Sequence, residues 1–272
     1  MKKILTIVLF FTLIVGCIDR DSQNILNTVG QIYEHSEITK PTAEVLELIK
    51  FTNPSLSDES LLYFDKYIDA DGIAVIGNSV LSDDFFIDTR ETILLMTSKR
   101  PQLRKYFRGK FYIAIAPYLS HLPQVDNTSF GGFVNTAKWK LDKSNNPIFY
   151  GYTLNTVGSG LFSTEIIVHE FAHAIEDYVR KYFDPDFTEK IKNAHTNARK
   201  QNLWRWLKKY KDYDHHHYFT SLLDIWFFHT GNHDYAEWET PLELIDIDPM
   251  GFELITEWFS WFAFGEMFQY TD

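Results

Sequence analysis

The stretch Val168-His169-Glu170-Phe171-Ala172-His173 decides how this chain is read. It sets two histidines four residues apart, with a glutamate directly after the first. On a helix those side chains share roughly one face. Two imidazoles so placed can hold one Zn²⁺, with Glu170 close enough to take a proton from an attacking water. The bland alternative is a chance match on a solvated, salt-bridged turn. The neighbours argue against it, because Ile166, Ile167, Val168, Phe171, Ala172 and Ile175 predict a largely buried helix. Ser163 reads as its N-cap, and Glu165 falls in its first turn. Two histidines and a glutamate are costly to bury unless something pairs with them. A metal supplies that pairing, so His169 and His173 are expected as zinc ligands and Glu170 as the general base.

The rest of the composition is compatible with a folded catalytic domain. The 272 residues suit one large domain or two small ones. With 45% apolar and 17% aromatic residues the chain can build a real core. A formal net charge of −11 excludes nucleic acid as a natural partner, since phosphate binding needs a basic footprint. The cluster Arg199, Lys200, Arg205, Lys208, Lys209 and Lys211 reads as the wet face of a helix.

The amino terminus reads as a processing signal. Lys2 and Lys3 precede a mostly apolar run from Ile4 to Val15, followed by Gly16 and Cys17. That run is short for a bilayer span. Ile14-Val15-Gly16-Cys17 resembles a bacterial lipoprotein cleavage box. The resemblance implies a signal peptide over residues 1–16, a lipid-modified Cys17, and an extracytoplasmic, membrane-anchored protein. An ordinary secretory peptide with an incidental cysteine is the alternative. Cys17 is the single cysteine, so an intrachain disulfide is impossible. Residues 17–30 read as a tether, and residues 31–272 as one domain with an α/β part (31–160) and a helical part (161–272).

Within that domain, helices are expected after Pro41, over 61–68, over 83–98 and over most of the chain beyond 163. The helical part divides into segments near 163–182, 188–210, 217–229 and 250–268. Lys110 to Pro117 alternates as a strand, Gly72 to Gly77 is a buried strand or tight loop, and 132–136 and 148–152 are shorter candidates. His215-His216-His217 is the lone low-complexity tract.

A catalytic zinc takes a third protein ligand and keeps one position for water. The last helix is heavily apolar yet carries Glu253 and Glu257 on one face. One could bind the metal while the other accepts the second N–H of a ligating histidine. Glu237, Glu239, Asp234 and His233 are rival sources.

The histidine helix, taken with Glu253-Leu254-Ile255-Thr256-Glu257, resembles the gluzincin metallopeptidases, in particular the group around the anthrax lethal factor catalytic domain. Tyr67–Gly77, Lys99–Arg104 and Asp184–Phe187 extend the resemblance to related secreted bacterial proteins, over about residues 60–265. It implies an α+β, zincin-like fold with a small mixed sheet, Glu253 as the third zinc ligand and Glu257 as its support. Leu254, Ile255 and Thr256 depart from the aromatic and alanine residues usual between the two glutamates. The group also places an oxyanion-stabilising tyrosine shortly before the zinc glutamate. Asp246 stands at that place here, and a carboxylate would repel an oxyanion. Tyr235 and His233 are therefore the candidates for that role.

The expected activity is zinc-dependent hydrolysis of a peptide or protein substrate, with the substrate strand paired to a sheet edge at 111–116 or 132–136. A non-catalytic zinc-containing surface lipoprotein and an amidase acting on cell-wall peptides are the alternatives. The tryptophans Trp204, Trp206, Trp226, Trp238, Trp258 and Trp261 are expected in the core.

Overall fold

The computed structural model describes residues 37–52, 57–109, 111–116, 138–141, 147–154, 160–204, 213–228 and 241–260. These lie in one compact unit, Ser36–Asp272. The expected signal peptide and tether, with Cys17, lie outside the described residues, as do His233, Tyr235, Glu237 and Glu239.

The elements run α1 (Ala43–Thr52), α2 (Asp58–Leu61), β1 (Lys66–Asp69), β2 (Ala74–Gly77), α3 (Asp83–Met96), α4 (Gln102–Phe107) and β3 (Tyr112–Ala116). They continue with β4 (Lys138–Leu141), β5 (Pro147–Leu154), α5 (Gly160–Tyr182), α6 (Phe187–Gln201), α7 (His215–Phe228), α8 (Pro241–Ile247) and α9 (Pro249–Trp258). The result is a mixed α+β arrangement, with the described strands all preceding Gly160 and helices following it.

The strands form one sheet in the order β1-β2-β3-β5-β4. The central pairs β2–β3 and β3–β5 are parallel, and the outer pairs β1–β2 and β4–β5 are antiparallel. Alternation along the strands sorts two cores. Val75, Ile113 and Ile115 join the large cluster that includes α3, α4 and α5, whereas Ala74, Ile76, Tyr112 and Ala114 join Ile49 of α1 on the other face. Because both neighbours of β3 are strands, β3 has no open edge for a substrate, contrary to the expectation for 111–116. Among the described residues the outer strands are β1, which Thr39 bridges at Tyr67, and β4.

Several sequence expectations shift. Residues 61–68 are not one helix: α2 ends at Leu61, and Lys66–Asp69 pairs with Ala74–Gly77 as a hairpin. The turn between them needs a left-handed backbone at Asp71 (φ 55) and Gly72 (φ 92). Arg104 and Arg108 brace the Asp71 carboxylate, each at 2.7 Å. Ser163 is not the cap of α5, since the helix already begins at Gly160. α6 stops at Asn202, whose αL backbone (φ 53) ends it before the expected 210. The helix expected from 250 corresponds to α9, which ends at Trp258, with 261–268 outside the described residues, and α8 precedes it outside the expected helical segments.

α5 is the spine of the fold. Ile167, Val168, Phe171, Ala172, Ala174, Ile175, Tyr178 and Val179 are all buried, which leaves little of its middle facing water. It is covered by β5, α3, α4, α6 and α7. Phe171 sits against Phe107 and Phe111, and truncating such a ring costs about 3–5 kcal/mol. The α7 helix is similarly apolar, with Tyr218, Phe219, Leu222, Leu223, Trp226 and Phe227 buried. Trp204, Trp226 and Trp258 are core residues, as expected.

A fully buried carboxylate ties the helical half together. Asp248 accepts hydrogen bonds from Trp204 Nε1 (2.9 Å), Tyr218 Oη (2.7 Å) and the Gly251 backbone N–H (3.0 Å). The last of these caps α9. Gly251 fits because a Cβ there would stand 2.8 Å from the Tyr218 oxygen. Burial, then the Asp248 charge, pushes the Tyr218 hydroxyl well above its ordinary range, so it stays a donor. Asp248→Ala would strand buried donors at about 1–3 kcal/mol each. It is expected to lower unfolding stability in urea by about 2–4 kcal/mol, with a loss under about 0.5 kcal/mol counting against the network.

Candidate functional site

His169 and His173 lie one turn apart on α5 with ring centroids 5.3 Å from each other. Their helix is buried around them, so the two imidazoles can face only the neighbour that α5 packs against there, which is α7. The Glu170 backbone lies in the same helix, but its side chain is outside the described ones.

What meets the two rings is the first half of α7. The His217 ring lies 6.1 Å from His169 and 6.0 Å from His173. Three imidazoles on one tetrahedral zinc, at Zn–N of about 2.0–2.1 Å, put their ring centroids about 5 Å apart. The observed triangle is therefore open by about 1 Å at most. Its nitrogens must still rotate to meet one ion, because His169, His173 and His217 are not among the donors lying within 4.8 Å of one another.

Two of the three rings carry a carboxylate on their other nitrogen. Asp224 Oδ2 is 3.4 Å from His169 Nδ1, a long contact. Asp214 Oδ1 is 2.9 Å from His217 Nδ1 and also takes the His217 backbone N–H at 3.0 Å, capping α7. A carboxylate on Nδ1 holds the proton there and leaves Nε2 with its lone pair, the form that ligates. Thr220 Oγ1 donates to the His217 carbonyl at 3.0 Å and stands 3.4 Å from His169 Nε2.

The electrostatics keep His173 neutral. Burial, aided by His169, His217 and His216, pushes His173 down to about 3, so it is uncharged at neutral pH. Burial alone would raise the Asp214 carboxyl. The His217 N–H groups and the charges of His217 and His216 outweigh it and bring Asp214 down to about 2. One Asp224 oxygen, Oδ1, is buried without a hydrogen-bond partner, a cost that a nearby cation would offset.

The carboxylates expected from α9 are elsewhere. Glu253 is exposed, and its recorded contact is through its backbone carbonyl, which accepts from Thr256 Oγ1 at 3.2 Å. No group of donors within 4.8 Å among the described residues joins it to His169 and His173. Glu257 is also exposed and is paired with Lys190 at 3.3 Å, not with a histidine. The reason is packing: α9 turns Leu254, Ile255 and Trp258 inward. Among the described residues the carboxylate beside a motif histidine is Asp224, 3.4 Å from His169 Nδ1. Sequence reading passed over the tract His215-His216-His217 as low complexity. The available signal was Asp214 at a helix start followed by His217, Thr220 and Asp224 at helical spacing of three and four.

Comparison with protein-family models, with curated proteins and with solved structures finds no match for this chain. What can be said of the site therefore rests on its own residues.

If the Asp224 carboxylate orients His169, Asp224→Ala should weaken zinc affinity about 10–100-fold while the fold persists. Glu257→Ala should leave it unchanged. Competition against a chromophoric chelator reads both values, and the opposite ranking would return the supporting role to α9.

Proposed function

We propose that this chain is a zinc-dependent peptide hydrolase whose metal is held by His169, His173 and His217. The observation that carries the reading is the buried H-E-x-x-H helix whose two histidines face a third on α7, with Asp224 and Asp214 behind two of the rings. Partly buried imidazoles, two of them beside carboxylates and His173 held neutral, suit Zn²⁺. Three such ligands leave one position open for water. The zincin-like architecture belongs to the same proposal, supported by a mixed sheet with the motif helix packed beside β5.

When bound, Zn²⁺ supplies a Lewis acid for the scissile carbonyl and lowers the pKa of a water toward neutrality. The chain's own residues do the rest. Asp224 and Asp214 hold the His169 and His217 rings in the ligating tautomer. Glu170 accepts the proton of the attacking water and returns it to the leaving amine. Tyr235 and His233 are the proposed donors to the developing oxyanion. The open edge of β4, on the far side of β5 from β3, offers backbone groups to an extended peptide. The composition of the amino terminus supports display outside the cytoplasm through lipid on Cys17. Among the described residues no helix is long and apolar enough to cross a membrane.

Three measurements test this reading. Glu170→Gln keeps the side-chain shape but removes the base, so it should retain zinc and fold while kcat falls at least about 100-fold. Cleavage of a mass-spectrometry peptide library, including cell-wall peptides, at the wild-type rate by that variant would overturn the assignment. A zinc-loaded wild type that cleaves nothing would favour a binding lipoprotein. His217→Ala should lose the metal and Glu253→Ala should keep it, and the reverse result would restore the glutamate. Cys17→Ser should leave the membrane fraction or stay unprocessed, whereas a mature protein starting elsewhere without lipid would refute the anchor.

A further inference from the structure

One turn beyond His173, the same pair of helices gathers a second set of donors. Glu176 on α5 and His215 and His216 at the start of α7 each present a ligating atom, all within 4.8 Å of one another. Glu176 is almost wholly buried, at 2% exposure. Its Oε1 accepts from Thr188 Oγ1 at 3.2 Å, and its Oε2 lies 2.7 Å from His216 Nδ1. The His215 and His216 rings are 4.0 Å apart by centroid. His215 Nε2 is buried and has no hydrogen-bond partner.

A buried Glu176–His216 ion pair is the simplest account, and it explains one contact. It leaves the second imidazole unexplained. A single proton can bridge Glu176 to His216 but cannot also satisfy His215 Nε2. A buried nitrogen left unpaired costs about 1–3 kcal/mol. A divalent ion among the three donors would satisfy all of them at once. Tetrahedral ligation at about 2.0–2.1 Å sets donors about 3.3 Å apart, so the wider pairs need close by about 1.5 Å at most while the 2.7 Å Glu176–His216 pair opens slightly. Two imidazoles and one carboxylate select a borderline transition ion such as Zn²⁺ over Ca²⁺ or Mg²⁺, which prefer oxygen. Thr188 already holds the other Glu176 oxygen, as an outer partner of a metal carboxylate commonly does.

We infer that Glu176, His215 and His216 form a second transition-metal site, separate from that of His169 and His173, which clamps the C-terminal half of α5 to the start of α7. The adjacent positions His173 and His217 would then be set by this clamp. The inference does not depend on peptide hydrolysis, since it concerns metal content and stability.

The test uses the full chain stripped of metal, reloaded with Zn²⁺ alone and desalted, with zinc per chain measured by mass spectrometry and thermal unfolding followed in parallel. The wild type should hold about two ions. Glu176→Gln, which preserves shape, and His215→Ala, which removes a half-buried ring, should each hold one fewer and lose part of the zinc-induced rise in Tm. His169→Ala should also hold one fewer, and His169→Ala combined with Glu176→Gln should hold none. Circular dichroism confirms that each variant is folded, and His215→Ala keeps the count readable should Glu176→Gln disturb packing. Unchanged zinc in both Glu176→Gln and His215→Ala overturns the second site. One ion lost on His169→Ala and kept by these two variants does the same. One ion lost on Glu176→Gln but kept by His169→Ala upholds the second site while removing the metal of the proposed hydrolase.

Discussion

The pairing of α5 with α7 is the constraint on which the rest of the molecule depends. Both helices are apolar over most of their surface, yet their shared face carries His169, His173 and Glu176 from one side and His216, His217, Thr220 and Asp224 from the other. The buried atoms of this half-exposed polar stripe favour pairing across the seam, because each buried group left unpaired costs of the order of a kilocalorie or more. Pairing across the seam fixes the rotation of one helix against the other. That in turn fixes where the sheet, α6 and α9 can pack.

Satisfying the seam is only partly achieved by side chains alone. The His169–Asp224 contact is long at 3.4 Å, Asp224 Oδ1 and His215 Nε2 have no partner, and His173 is surrounded by other imidazoles that keep it neutral. The proposed cations would satisfy these groups. Where Asp248 performs a purely structural task, by contrast, its hydrogen bonds are short and its oxygens are used. The seam leaves buried polar atoms unpaired and the Asp248 cluster does not, which supports the proposal of a site at the first and a structural brace at the second.

Much of this was legible in the sequence for identifiable reasons. The motif helix, α3, β3 and β5 follow from long, strongly periodic or alternating segments, and Phe86, Ile93, Leu94 and Met96 are buried as their spacing requires. The spacing over 61–68 predicts helix where β1 forms, because a four-residue strand carries too little alternation to outweigh local helix-like spacing, whereas β2 lies within the stretch 72–77 expected as a buried strand or tight loop. The exposure of Glu253 and Glu257 differs from the expectation for another reason. Two carboxylates four apart on an apolar helix look buried, but α9 is short, and Glu253 and Glu257 fall on its outer face. The true neighbours of His169 are 48 to 55 positions away along the chain. Only packing brings them in, and a run of three histidines gave no periodic signal that they face inward.

In the proposed metal centre the third donor comes from the α5–α7 seam and not from α9. A crystal structure of the zinc-loaded protein, with anomalous maps collected at the zinc edge, tests it most directly. That arrangement predicts a peak within about 2.0–2.1 Å of ring nitrogens of His169, His173 and His217. A peak ligated by Glu253 with His217 turned away, or no peak against His169 and His173, would contradict it.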